Sequence, residues 1–355
     1  MHTLSVFSIR RIWRSYLFPV LILVLFLWAN RAQAGVGLEE IPATATDGIV
    51  TLFYPTQAED QPLRRGRFVL NLAERAGPIR GNGRLIVISH GSGGGPWVHV
   101  NLARALVEAG FVVAMPQHHA DNFMDESNPG PDSWTLRPAE VSRAIDAVGR
   151  DTRFASLLML DKVGIYGMSA GGHTALSMAG GRWSPAGFKQ HCEASLEEDF
   201  QSCVGLITRL TGSMFDGIKK WAAMLVIRHR FSDATPREHH DPRVAAVVAG
   251  VPTAADFDMT SLAHPAMPVA LITAGQDHWL IPRFHSDLVM QACKSCVLLA
   301  HLPAAGHGAL LSPLPPGLTG LVGDMLNDPP GFDRSQMAEV DQKIARFFEQ
   351  HLLQK

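Results

Sequence analysis

The chain has 355 residues, 46% of them hydrophobic, 18% charged and 8% aromatic, which supplies a sizeable core and excludes a disordered or collagen-like polymer. Its 31 Lys and Arg against 33 Asp and Glu give a formal net charge of −2. No basic run follows the first 15 residues, so the electrostatic footprint of a nucleic-acid partner is missing.

Residues 1–34 differ from the rest. Arg10, Arg11 and Arg14 precede an apolar run from Leu17 to Ala29, and Ala32-Gln33-Ala34 supplies the small-x-small pattern of signal-peptidase cleavage. This segment reads as a signal peptide for the general secretory route, making the mature protein periplasmic or secreted and limiting membrane contact to the signal. An uncleaved anchor is the alternative, but a run of about 13 residues falls short of the roughly 20 that a span needs. Ile9 and the very apolar core speak against a twin-arginine signal. Without its four arginines, 27 basic residues face 33 acidic ones, a net of −6.

Residues 35–355 read as one catalytic domain. Continuous apolar runs predict eight strands, at 49–54, 67–72, 84–89, 111–115, 162–166, 243–249, 268–274 and 297–302. Helical periodicity predicts helices near 98–109, 138–149, 170–180, 282–291 and 338–352. The alternation is that of a mostly parallel sheet with helices on both faces. The first two strands leave no room for a crossover and are expected to pair antiparallel. Residues 181–242 break the rhythm and read as a lid insertion above the sheet; the proline-rich stretch 311–337 is a second excursion.

All four cysteines lie beyond residue 34, and in an oxidising compartment an even count reads as two disulfides. Proximity favours Cys192 with Cys203 and Cys293 with Cys296. A redox role for Cys293-Lys-Ser-Cys296 lacks a thioredoxin-like surrounding, and a zinc site lacks a second pair with histidine partners.

Gly167-Met168-Ser169-Ala170-Gly171-Gly172 lies between a predicted strand and a helix-forming run, the setting of a nucleophile elbow. That geometry would present the Ser169 hydroxyl at the top of the sheet. His90-Gly91-Ser92-Gly93-Gly94-Gly95 follows an earlier strand, and such a loop can bring a backbone N–H to an oxyanion. The expected donors are the N–H groups of Ser92 and Ala170. A phosphate loop is the alternative, but neither G-x-x-x-x-G-K-[ST] nor a helix-opening G-x-G-x-x-G is present. Downstream, Asp277 ends one strand and His307 follows the last, giving the order Ser169, Asp277, His307 that this geometry requires. In that triad His307 moves the serine proton and Asp277 orients the imidazole. Asp256 and Asp258 are the rival acids. His118-His119 and His239-His240 lack spaced carboxylate or cysteine partners and read as solvated loop histidines; no metal and no cofactor is implied.

With G-M-S-A-G-G, H-G-S-G-G, the D-x-R-V-A-A-V-V strand at 241–248, G-Q-D and A-G-H, the chain resembles the α/β-hydrolases described as predicted dienelactone hydrolases, which are similar to platelet-activating-factor acetylhydrolases. The resemblance runs over about residues 45–352 and extends to the insertion holding Cys192 and Cys203. It implies a serine hydrolase of carboxylic esters working through an acyl-enzyme on a small-molecule ester. There are two departures. True dienelactone hydrolases carry a cysteine where this chain has Ser169, and the plasma acetylhydrolases take their acid after the sixth strand. An amide or thioester hydrolase, or an acyltransferase, would use the same triad, and a non-catalytic binding protein could use the same fold.

Overall fold

The computed structural model describes residues 35–354; the expected signal peptide lies outside the described residues. Continuous Val, Ile, Leu and Ala runs make strands that are buried on both faces. Twelve strands form among the described residues: β1 (Gly35–Ile41), β2 (Val50–Thr56), β3 (Gln61–Arg65), β4 (Phe68–Glu74), β5 (Leu85–Ser89), β6 (Val112–Pro116), β7 (Val163–Met168), β8 (Arg182–Trp183), β9 (Val244–Gly250), β10 (Phe257–Asp258), β11 (Val269–Ala274) and β12 (Val297–Leu302). Ten join one sheet in the order β12-β11-β9-β7-β5-β6-β2-β1-β4-β3, and β8 pairs with β10 apart from it. From β6 to β12 every pairing is parallel. All side chains of β5, β6, β7 and β11 are buried.

The eight expected strands become ten, and the expected antiparallel pair does not form. β1 lies between β2 and β4, antiparallel to the first and parallel to the second. Its run Gly-Val-Gly-Leu-Glu-Glu-Ile hides the pattern because glycine occupies two of its inward positions. At Gly37 a Cβ would meet the Tyr54 ring at 2.2 Å. β3 is a polar edge strand, mostly exposed, so no apolar run betrays it.

The helices are α1 (Val100–Glu108), α2 (Pro131–Arg150), α3 (Ala170–Met178), α4 (Pro185–Ser195), α5 (Phe200–Val204), α6 (Asp216–Arg230), α7 (Ser286–Ala292), α8 (Gly320–Leu326) and α9 (Met337–Leu352). α2 and α3 cover one face through Val141, Ile145, Val148 and Leu176, and α1 and α9 cover the other through Leu102, Leu106, Ile344 and Phe348. α2 starts seven residues before the position that Pro138 suggested. Buried Trp134 and Arg137 anchor its first turns, so tertiary contacts override the proline. Among the described residues no helix is long and apolar enough to cross a membrane.

β8 and α4 to α6 fall within residues 181–242. Cys192–Cys203 bridges α4 to α5, and Cys293–Cys296 closes the turn between α7 and β12, matching the pairing expected from proximity. Ser184 caps α4 by accepting the Gly187 N–H. Of the fifteen residues of α6, Ile227 alone is buried.

Candidate active site

Ser169 is the single residue between β7 and α3, with φ 58° and ψ −120°, a conformation non-glycine residues rarely adopt. Its neighbours make the turn possible. A Cβ on Gly167 would lie 1.9 Å from the Gly171 carbonyl oxygen, and one on Gly171 would lie 1.9 Å from that of Ser89. The Ser169 N–H donates to Gly250 O at 3.0 Å, and its carbonyl accepts from Thr253 N at 3.2 Å, so β9 and the segment after it hold the strained residue.

Asp277 follows β11. Its Oδ1 accepts the N–H groups of Trp279 and Leu280, both at 2.8 Å, which leaves Oδ2 for His307 Nδ1 at 2.7 Å. His307 opens a short turn after β12, and its Nε2 lies 3.0 Å from Ser169 Oγ. Both Asp277 and His307 are buried. A proton on Nδ1, assigned from this network, turns the Nε2 lone pair toward the serine hydroxyl. The three residues expected as a triad are thus joined in one chain of hydrogen bonds.

The glycine-rich loop lies against them. A Cβ on Gly91 would lie 3.4 Å from Ser169 Cβ, so this backbone passes directly beside the serine. Ala170 opens α3, where its N–H has no intrahelical acceptor. The Ser92 side chain is exposed and donates to Asp121 Oδ1. Gly91, Ser92, Ser169, Ala170 and His307 line a cavity of about 1030 Å³ with Trp97, Phe123, Trp134, Phe188, Phe231 and Trp279; residues 201–208 and one side of α6 close its far wall.

The rival acids lie elsewhere. Asp256 Oδ2 meets His173 Nε2 at 3.0 Å in a buried nest of Trp134, Trp183 and Phe257. Asp258 is exposed, caps the turn at Met259–Leu262 and pairs with Arg182. His118 is not a solvated loop residue but is fully buried, with Nε2 2.8 Å from Ser89 Oγ and Nδ1 2.6 Å from Glu140 Oε2. Burial pulls its pKa well below the usual histidine value and raises that of Glu140. This Ser89–His118–Glu140 chain repeats the spacing of the first, but Ser89 has no exposed surface and does not line the cavity. His239 is half-buried against Ser142.

His191, Asp199 and His285 bring three metal-type donors within 4.8 Å of one another. His285 Nδ1 accepts the Ala254 N–H at 3.0 Å, so the ring proton sits on Nε2 and donates to Asp199 Oδ2 at 3.2 Å. Ligation through Nε2 would need that proton on Nδ1, facing another N–H. The three form a hydrogen-bonded clamp between the insertion and the segment after Asp277. The sequence reading also missed Asp121 and Arg137. The signal for Arg137 is its phase, since it falls on the same stripe of α2 as Val141, Ala144, Ile145 and Val148.

No protein-family model matches the chain, and no curated protein sequence does. Among solved structures, a ferulic acid esterase from Streptomyces cinnamoneus is similar over 91% of this chain and 91% of its own, with a TM-score of 0.57 at 16% identity. The fold is that of the α/β-hydrolases. Within this hydrolase fold Ser169 stands at the strand-to-helix turn on the carboxyl end of the parallel strands, where ligands bind in open α/β sheets.

Proposed function

We propose that this protein is an exported serine hydrolase of carboxylic esters with a bulky apolar moiety. The observation that carries the reading is the chain Asp277 Oδ2, His307 Nδ1, His307 Nε2, Ser169 Oγ, at 2.7 and 3.0 Å, on the wall of an apolar cavity. Ser169 attacks the ester carbonyl while His307 takes its proton. The backbone N–H groups of Ala170 and of the Gly91–Ser92 segment receive the developing oxyanion, and His307 returns the proton to the leaving alcohol. Water activated by His307 then releases the acid from the acyl-enzyme. Asp277 keeps the imidazole in the required tautomer. The two disulfides support a site outside the cytoplasm, and the motifs quoted above support a place near the predicted dienelactone hydrolases.

A series of p-nitrophenyl esters from acetate to palmitate, with a feruloyl ester added because of the similar structure, tests the reading. The expected result is hydrolysis with kcat/KM rising beyond acetate. Ser169→Ala should lower kcat by about 10⁶ and abolish labelling by a fluorophosphonate probe. Activity of Ser169→Ala within tenfold of wild type overturns the assignment.

A further inference from the structure

The loop beside Ser169 is held by hydrogen bonds to several of its backbone groups. His90 O accepts from Arg137 Nη1 at 2.6 Å, and Gly91 O accepts from Gly94 N and from His90 Nδ1. Gly93 N donates to Asp121 Oδ1 at 3.0 Å, and Gly94 O accepts from Phe123 N. The amides of Gly91 and Ser92 donate to no acceptor among the described residues, although they sit at the point where the loop meets the serine.

Arg137 and Asp121 are both fully buried. Arg137 Nη2 donates to Asp121 Oδ2 at 2.8 Å and to its carbonyl at 3.2 Å, while Nε donates to Ser133 Oγ at 3.0 Å. Burial alone would raise the Asp121 carboxyl, but the guanidinium and the hydrogen bonds from Ser92 and Gly93 hold it below the usual carboxylate range. A buried ion pair is weak evidence for stability, because apolar side chains of similar volume often do as well. This pair differs from an ordinary core contact in where its bonds end. One reaches the carbonyl of His90, and two more reach the amide of Gly93 and the hydroxyl of Ser92.

We propose that the Arg137–Asp121 pair, with the Ser92 hydroxyl, holds the Gly91–Gly95 loop so that the free amides of Gly91 and Ser92 face the oxyanion formed at Ser169. The three are positioning residues, and the proposal rests on Ser169 being the nucleophile. The pair fixes where the amides point and touches no substrate atom, so its loss should be felt in the transition state and not in substrate binding.

The test compares Ser92→Ala, Ser92→Thr and Arg137→Lys with wild type on one p-nitrophenyl ester. An alkyl boronic acid, which adds to Ser169 as a tetrahedral anion, and the product carboxylic acid serve as inhibitors. Ser92→Ala keeps the backbone N–H and should lower kcat about tenfold with KM nearly unchanged, and Ser92→Thr should restore it. Arg137→Lys keeps the charge but loses the fork, and a displacement of about 1 Å should lower kcat about 10²-fold. Boronate affinity should fall by the same factors while product affinity stays constant. Folded Ser92→Ala with wild-type kcat, or a kcat loss without a matching boronate loss, overturns the proposal. Ser92 is exposed, so this arm stands even where Arg137→Lys fails to fold. If Ser169→Ala keeps its activity, the nucleophile reading fails and takes the proposal with it. An inactive Ser169→Ala beside unaffected Ser92 and Arg137 variants sinks the proposal alone.

Discussion

The two oxygens of Asp277 do different work. Oδ1 is spent on the amides of Trp279 and Leu280, which fixes the carboxylate plane, and Oδ2 receives the His307 proton. Asp277→Asn can keep the first role by presenting its carbonyl there, but its NH2 then faces the imidazole and favours the wrong tautomer. The expected loss in kcat is about 10⁴ with the melting temperature little changed. Asp256→Asn should do the reverse, since Asp256 serves His173 in a buried aromatic nest and not His307. It should lower the melting temperature and leave kcat within about tenfold. A collapse of kcat in Asp256→Asn, with Asp277→Asn active, would move the acid to the position after β9. Ser169, Asp277 and His307 were legible because each sits in a short motif at a strand end. Arg137 and Asp121 were not, because the contacts that tie them to the loop and to each other span 16 to 47 residues and no local pattern records them.

At the scale of the elements, α9 carries Ile344, Phe347, Phe348 and Leu352 on the stripe its periodicity predicted, and it also buries an unexpected carboxyl. Burial raises Asp341 to about 7. The unfolded chain releases this proton near 3.9, so between about pH 4 and pH 7 the folded state holds a proton that the unfolded state has lost. Stability is therefore fully present below pH 4 and declines as pH rises to about 7, by up to roughly 4 kcal/mol at 1.36 kcal/mol per unit. Asp341→Asn, which mimics the neutral acid, should unfold at higher urea than wild type at pH 8, and the gap should close at pH 4. An equal gap at both values would show that the carboxyl titrates normally. The strand count failed for a related reason. β1 hides its inward positions as glycines, and β3 is a polar edge, so apolar periodicity was blind to both.

For the whole molecule, residues 201–208 and one side of α6 supply the cavity wall that faces the body. α6 buries Ile227 alone; Phe231 at its end meets Phe188 edge to face at 5.3 Å, and Arg228 pairs with Glu193 and Lys220 with Glu197 on the outside. Exposed ion pairs of this kind contribute about 0–1 kcal/mol each. Cys192–Cys203 ties α4 to α5 and lands inside the cavity-lining run 201–208, where Cys203 is itself a wall residue. With a separation of 11 residues, its chain-entropy contribution is about 3 kcal/mol at most. The bridge constrains chiefly the segment between its two cysteines and the wall residues beside it, so its loss should be felt locally. Cys192→Ser with Cys203→Ser should therefore loosen the far wall, raise KM several-fold and shift the preferred acyl length, while global melting changes little. Cys293→Ser with Cys296→Ser, whose loop closes away from the cavity, should leave chain-length preference as it was. If the first double variant melts earlier and keeps its preference, the bridge is a structural staple and the selectivity lies in Trp97, Phe123 and the other side chains of the body.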